Sequence, residues 1–383
     1  MRKCSESWLS TYLKYTEGQE SPELFHLWTG ISVLATTLGR NVYLDRDFYK
    51  VFPNHYIILL AASAECRKSV AVGIGKDLLE RAKIGNISSE RITNAGLFTQ
   101  LGDLGKKFGA AELLIFADEL RLFLSTEETH KGVITTLTRL FTCPDYLENK
   151  TKTAGVDYLI NTCVNVLAAT TPADFAEVIP GASLGSGFVP RLHVIHQEIP
   201  RPRKAELRKD PLLEAYLVED LKQIRKLAGI YSFGPGAWDW WKNWYENVME
   251  FPEDETLNGF YGRKHDYVLK LGIILAASER DELVLEKQDL KRALLFLDQI
   301  ESFMGRAYKS VGTTMVVRNA ERVLRQLRKH DGPMKRSEVL HLNSNRLDSQ
   351  ELSEVVRYLE ESDEIDTVPG QGGRGVVYKV RRK

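Results

Sequence analysis

Cysteine is scarce in this chain. The four present, Cys4, Cys66, Cys143 and Cys163, are widely spaced and form no CxxC pair. That excludes a disulfide framework and a thiolate zinc site, and points to a reducing compartment, the cytoplasm. Net charge is missing as well: 52 Lys and Arg are matched by 52 Asp and Glu. Global charge therefore gives no argument for nucleic acid, and only local basic patches could. No apolar run reaches the roughly 18–20 residues of a membrane span, so no membrane partner is expected. There is no G-x-S-x-G elbow, no HExxH, no internal repeat and no low-complexity segment. What is present is an ordinary soluble composition, 43% apolar and 27% charged, over 383 residues. At about 100–200 residues per domain this length predicts two or three domains.

The periodicity divides the chain into four parts. Residues 1–45 form a helical N-terminal region, with Trp8, Leu9, Tyr12 and Leu13 at helical spacing and a second helix after Ser21-Pro22-Glu23. Residues 46–200 read as α/β. His55 to Ala61, Leu113 to Ala117, Asn161 to Thr170 and Leu192 to His196 are short apolar runs separated by helical stretches. Such runs suit strands buried on both faces of a parallel sheet. Proline and charge at Pro200-Arg201-Pro202-Arg203-Lys204 mark a boundary, after which 201–312 is a mostly helical lid. Its aromatic cluster, Trp238, Trp240, Trp241, Trp244 and Tyr245, reads as packing between helices in preference to a base-stacking platform. Residues 318–383 give three short helices and then a glycine-tipped hairpin, the pattern of a winged helix-turn-helix.

The chemistry concentrates where strands end. Ala61-Ala62-Ser63-Ala64-Glu65-Cys66-Arg67-Lys68-Ser69 follows one buried strand and opens a helix. Helix-start N–H groups and the helix dipole favour an anion there. Ala64, Glu65, Cys66 and Arg67 would line a phosphate loop, Lys68 would reach β- and γ-phosphates, and Ser69 would ligate Mg²⁺. Both glycines of GxxxxGK[ST] are substituted, by Ala62 and Arg67, so an ordinary strand-to-helix turn remains open on this segment alone. The second strand ends in Asp118-Glu119, one acid placed to hold Mg²⁺ and the next to polarise an attacking water. A solvated pair of acids at a helix start is the simpler alternative. The third strand ends in Thr170-Thr171; as in additional-strand ATPases, Thr170 or Thr171 is the candidate for orienting that water, with a simple strand-end threonine as the alternative. A glycine-rich turn then presents Arg191, which in a ring or filament could reach a neighbour's nucleotide. Arg263 or Lys264, where a lid helix begins, is a weaker candidate for phosphate contact from the lid side.

In this order "SPELFHLWTGISVLATTLGRNVYLD", "PNHYIILLAASAECRKS", "LLIFADE" and "GSGFVPR" resemble the ATPase part of phage- and plasmid-borne primase–helicase proteins, within the AAA+/RecA-like P-loop class. The resemblance covers roughly residues 20–310, and no primase catalytic domain is evident. It implies an ATP- and Mg²⁺-dependent helicase or translocase, a ring homo-oligomer such as a hexamer, acting on single-stranded or forked DNA with other replication proteins of a mobile element. Two alternatives stand beside it. One is an AAA+ assembly or loader protein without unwinding activity, which the substituted loop suits. The other is a nucleotide-dead DNA-binding scaffold. In the C-terminal part, the acids Glu351, Glu354, Glu360 and Glu361 make the third helix a poor groove reader, whereas 367–383 lacks acids and carries Arg374, Lys379, Arg381, Arg382 and Lys383. DNA contact through the wing and tail is thus expected over contact through the helix, with protein docking as the alternative.

Overall fold

The computed structural model describes residues 2–63, 65–88, 92–124, 127–151, 155–179, 187–253, 257–312, 315–330, 332–343, 347–369 and 375–381. The chain is a mixed α/β protein with two compact units, Met1–Val311 and Gly312–Lys383. Unit one runs α1 (Trp8–Thr16), α2 (Glu23–Leu38), β1 (Val42–Asp45), β2 (Lys50–Val51), β3 (Tyr56–Leu60), α3 (Lys68–Ala82) and α4 (Asn94–Phe108). It continues β4 (Glu112–Ala117), α5 (Leu120–Phe123), α6 (Glu127–Leu140), β5 (Tyr146–Thr151), β6 (Gly155–Ile160), β7 (Cys163–Thr170) and α7 (Pro172–Val178). It ends β8 (Leu192–His196), α8 (Pro211–Ile224), β9 (Gly229–Phe233), α9 (Ala237–Asn243), α10 (Asn258–Glu279), β10 (Val284–Leu285) and α11 (Lys287–Gly312). Among the described residues no helix is long and apolar enough to cross a membrane.

The four apolar runs form one parallel sheet, in the order β4-β7-β3-β8. Every residue of β3 and β7 is buried, which is why their sequences carry no polar alternation. The register sets one edge: Leu60 lies opposite Thr170 and His196, and Ala117 opposite Ala168. A parallel bridge from Ile87 to Leu114 extends pairing beyond β4. α2 is buried from Leu24 to Leu38 and packs against β3, β7 and β8. Its buried positions run right round the helix and include His26, Thr29, Ser32, Thr36 and Thr37 beside the apolar majority, as in a helix enclosed by the core. α3 packs closely on α2, because Gly75 leaves room where a Cβ would lie 2.5 Å from a Thr29 methyl.

A second sheet, β10-β9-β1-β2, differs from the helical expectation for 201–312. β9 pairs in parallel with β1, so the N-terminal region and the segment after residue 200 share a layer. Arg225, just past α8, fastens this layer, reaching Glu112 at 2.6 Å and the Thr37 carbonyl at 3.1 Å. The tryptophans form a stacked ladder: Trp241 and Trp244 are buried, Trp238 lies half-exposed on Trp241, and the Arg46 guanidinium covers both Trp238 and Trp241.

Unit two contains α12 (Met315–Lys329), β11 (Met334–Lys335), α13 (Arg336–Leu342), α14 (Ser349–Glu361), β12 (Ile365–Pro369) and β13 (Val376–Val380). Its three strands pair antiparallel in the order β11-β13-β12. Val323, Leu327, Val339, Leu352, Val355, Leu359, Ile365 and Tyr378 make its own core. An Asp348–Glu351 capping box starts α14.

Among the described residues of unit one three histidines are fully buried. His193 sits 4.9 Å from His55 and 4.6 Å from Tyr267, centroid to centroid, and His26 lies beside Tyr12. Burial pushes His26 and His193 from the ordinary 6.5 to about 3, and His55 well below 6.5. In the unfolded chain these imidazoles take protons near pH 6.5, whereas the folded chain keeps them neutral. Stability is therefore lost as pH falls from 6.5 towards 3, by up to about 1.4 kcal/mol per pH unit for each histidine. Thermal denaturation followed from pH 7.5 to 4.5 should show this decline, and His193→Phe should make it shallower.

Candidate functional site

The loop after β3 is held at both ends. Ala61 donates its N–H to the Thr170 carbonyl at 3.4 Å, and α3 starts at Lys68. Arg67, just before it, has φ of 48°, the left-handed conformation that glycine supplies in the usual phosphate loop. The position thus keeps glycine's backbone without glycine. Its surroundings hold it there: Ser21 donates to the Arg67 carbonyl at 3.0 Å, and the guanidinium pairs with Glu20 at 3.0 Å. The Cys66 thiol is buried and donates to the Gln197 carbonyl at 3.6 Å, and burial raises its pKa. Cys66 therefore ties the loop to the chain beyond β8 and is not a thiolate nucleophile. Glu65 is exposed, and Ala64 lies outside the described residues.

Lys68 folds back along the loop. Its ammonium donates to the carbonyls of Ala61 at 2.7 Å and Ala62 at 3.0 Å, and burial holds its pKa below the ordinary lysine value. The Arg67 side chain makes no capping bond to α3, whose first-turn residues Lys68, Ser69 and Val70 line the cleft described below. Ser69 lies in the first turn, exposed beside Lys68.

The carboxylates arrive from the next strands. Asp118 and Glu119 follow directly on β4, Asp118 half-buried and Glu119 exposed. Neither makes an ion pair among the described residues, so both oxygen sets remain available. Thr170 is the buried last residue of β7. Thr171 caps α7, accepting from the Asp174 N–H at 3.1 Å and donating to the Asp174 carboxylate at 2.6 Å. Lys68, Ser69, Asp118, Glu119, Thr170 and Thr171 line a single cleft of about 490 Å³, together with Ser63, Arg67, Val70 and Asp174.

This donor set suits a phosphate chain with a divalent cation. The ammonium and the uncapped helix start attract phosphate, and the Ser69 hydroxyl with the Asp118 carboxylate would hold Mg²⁺. Such an ion neutralises phosphate charge when bound. Among the described residues no cluster of three or more His, Cys, Asp or Glu side chains could hold a metal alone, so the cation would need phosphate oxygens as further ligands. Sequence reasoning missed Asp174 and its partner Arg121, 3.5 Å away. The available signal was Thr171-Pro172-Ala173-Asp174, a cap residue, proline at N1 and an acid at N3.

Arg191 and Arg263 are not in this cleft. Arg191 immediately precedes β8, whose Leu192 lies opposite Tyr56, at the far end of β3 from the loop. At about 3.3 Å per strand residue that separation is roughly 15 Å. Arg191 and Arg263 line a different cleft together. The residues 180–186, which include Gly185-Ser186 of the glycine-rich turn, lie outside the described residues.

In unit two, Arg381 pairs with Asp363 and, at 2.7 Å, with Asp366. The acid-free tail of the sequence is thus partly neutralised in space. Lys379 is exposed on β13, and Arg374, Arg382 and Lys383 lie outside the described residues. On α14, Arg357 pairs with Glu361 at 3.6 Å.

No family model and no curated protein matches the chain. Among solved structures, it is similar to the crystal structure of a full-length MCM homolog from Methanopyrus kandleri, at 17% identity and a TM-score of 0.46. The match covers 77% of this chain and 58% of that one, so this chain spans little more than half the length of that protein. The likeness is too remote to assign a family.

Arg67 makes the loop testable. A β-branched side chain at φ of 48° is strained by roughly 1–2 kcal/mol or more. Arg67→Ile should lower the denaturation midpoint measurably, whereas Arg67→Gly, which fits the same backbone, should be better tolerated. Equal midpoints for the two variants would mean that the backbone angle is not what matters at this position.

Proposed function

We propose that the chain is an ATP-dependent motor of the P-loop class acting on DNA, as a ring homo-oligomer in the replication of a mobile element. The observation that supports this best is the convergence of Lys68, Ser69, Asp118, Glu119 and Thr170 on one cleft. That cleft lies at the carboxyl edge of a parallel sheet, where α/β folds place their ligands. β7 lies between the Lys68 strand and the Asp118 strand, as an additional-strand ATPase requires.

In this reading Lys68 leaves the Ala61 and Ala62 carbonyls and grips the β- and γ-phosphates. Ser69 and Asp118 hold Mg²⁺. Glu119, exposed and unpaired, accepts a proton from the attacking water, and the Thr170 hydroxyl orients that water. Arg191 acts on a neighbouring copy's nucleotide, which agrees with its place outside its own cleft. Residues 201–312 act as the lid, and 318–383 as a winged helix that touches DNA through β13 and the tail.

A second reading is an AAA+ protein that uses ATP for assembly on DNA without unwinding. The two hydrogen bonds that hold Lys68 against the loop favour it, because they must break before the ammonium meets phosphate. Strand displacement on a forked duplex separates the two readings, alongside ATP hydrolysis measured with and without single-stranded DNA.

Glu119→Gln should abolish ATP turnover while keeping ATP binding; hydrolysis at the normal rate would remove Glu119 from the role. For unit two, deletion of 367–383 is a poor test, since it removes the buried Tyr378 from the core. Lys379→Glu keeps that core. It should weaken DNA binding and reduce the slope of log affinity against log salt by about 1 or more. An unchanged slope would favour protein docking by this unit.

A further inference from the structure

A second cleft, of about 550 Å³, lies at the opposite edge of the parallel sheet, between the β1–β2 turn and α10. Four carboxylates and four cations line it in balance, so charge alone selects no ligand there. Its lining also includes Cys143, in the turn between α6 and β5. Cys163, the first residue of β7, packs against Cys143 beside Phe52. Both thiols are buried, and neither belongs to the Lys68 cleft.

The backbone brings the pair together. β5 and β6 run antiparallel, with Tyr146 opposite Ile160. The pairing continues past both strands: Asn161 donates its N–H to the Asp145 carbonyl at 2.8 Å, and Thr162 to the Pro144 carbonyl at 3.2 Å. One more step at the same register sets Cys143 opposite Cys163. Opposed residues of an antiparallel pair have Cα atoms roughly 4.5–5.5 Å apart, within the roughly 4.4–6.8 Å that a disulfide spans. Arg40 clamps the same place, its guanidinium donating to the carbonyls of Cys143 at 2.6 Å and Thr162 at 2.7 Å. Cys143 itself has φ of 50°, a left-handed backbone at a residue that is not glycine, which persists only where neighbours hold it.

The Cys163 thiol donates a hydrogen bond to the Cys143 sulfur. Burial pushes the Cys143 thiol up, but that bond, the Lys270 and Arg40 charges and the Val164 N–H together bring it below the ordinary thiol value. The bond to Cys143, with burial, pushes Cys163 well above it. Lys270, buried on α10, has no carboxylate ion pair among the described residues; it donates to the Asn54 oxygens, and a thiolate at Cys143 supplies the opposite charge. The thiolate is the nucleophilic form of cysteine, and reactive ones sit beside cations with an opening to solvent. We propose that Cys143 and Cys163 form a reversible dithiol site, which hydrogen peroxide entering through this cleft oxidises to a disulfide. The Cys143 sulfur attacks one peroxide oxygen and the O–O bond breaks. The departing hydroxide takes up the proton that Cys143 gave up, becoming water, and Cys143 is left as a sulfenic acid. The Cys163 sulfur then attacks the Cys143 sulfur, the S–O bond breaks, and the second hydroxide leaves with the Cys163 proton as water. The two thiols lose two electrons and the peroxide gains them. An added dithiol reverses the bond by exchange. None of this rests on the nucleotide reading above.

The test uses the full-length chain, reduced, freed of reductant and exposed to hydrogen peroxide. The chain is then denatured, its remaining thiols are alkylated, and its peptides are mapped by mass. A peptide pair joined through Cys143 and Cys163, and released by dithiothreitol, supports the site, whatever becomes of Cys4 and Cys66. Cys163→Ala should halt at the sulfenic acid, so dimedone should label its Cys143 about tenfold more than it labels Cys163 in Cys143→Ala. Equal or reversed labelling overturns Cys143 as the attacking sulfur. If Cys143 and Cys163 both stay open to alkylation in the unmutated chain, under conditions that oxidise the urea-unfolded chain, the site is overturned. That last comparison needs no variant to fold.

Discussion

Parallel register is the constraint on which the rest depends. Leu60 opposite Thr170, and Ala117 opposite Ala168, bring three chain exits to one edge of the sheet. An ammonium, a hydroxyl and two carboxylates then meet in a single cleft although they come from segments far apart in sequence. A slip of one residue in β7 would turn its side chains to the other face and move Thr170 away from that edge. The register is secured from both sides: β3 and β7 are buried throughout, and α2 lies across them. The apolar core and the polar edge are consequences of the same pairing.

The strands were legible because burial on both faces leaves a continuous apolar run, as in Tyr56-Ile57-Ile58-Leu59-Leu60 and Leu113-Leu114-Ile115-Phe116-Ala117. β9 was not, since it is short, partly exposed and pairs with β1 from a distant part of the sequence. The β5–β6 hairpin was missed for a related reason: Tyr146-Leu147-Glu148-Asn149-Lys150-Thr151 has no apolar run to announce it. Lys68 with Ser69, and Asp118 with Glu119, could be read because each pair follows an obvious strand directly. Asp174 needed knowledge that α7 starts at the end of β7. The edge occupied by Arg191 was readable in principle: a residue just before a parallel strand lies opposite the residues just after its neighbours.

Both clefts use the same strands from opposite ends. β3 feeds the Lys68 loop at Leu60 and follows Asn54, which receives Lys270, at its start. β8 follows Arg191 and leads to Gln197, where Cys66 anchors the loop. In unit one the sheet thus separates two clefts, each lined by both cations and carboxylates. The carbonyl-bonded Lys68 and the carbonyl-bonded arginines share a feature as well. Each is held by neutral acceptors, and among the described residues none of the three is ion-paired with a carboxylate, although Asp45, Asp47, Asp145 and Asp266 line the cleft of the two arginines.

The loop without its glycines is the sharpest departure from a standard phosphate loop, and its physics is local. A left-handed backbone at a non-glycine residue costs roughly 1–2 kcal/mol, and such strain persists only where neighbours over-determine the conformation. Here the neighbours are identifiable. Ser21 binds the Arg67 carbonyl, Glu20 binds its guanidinium, and the buried Cys66 fixes the preceding residue against the core. Two of these three contacts come from the segment between α1 and α2. The N-terminal region therefore takes over, through side chains, the task that glycine performs through its missing one. A loop held from outside in this way keeps its shape but gains dependence on a distant segment, which links the position of α2 to the position of Lys68.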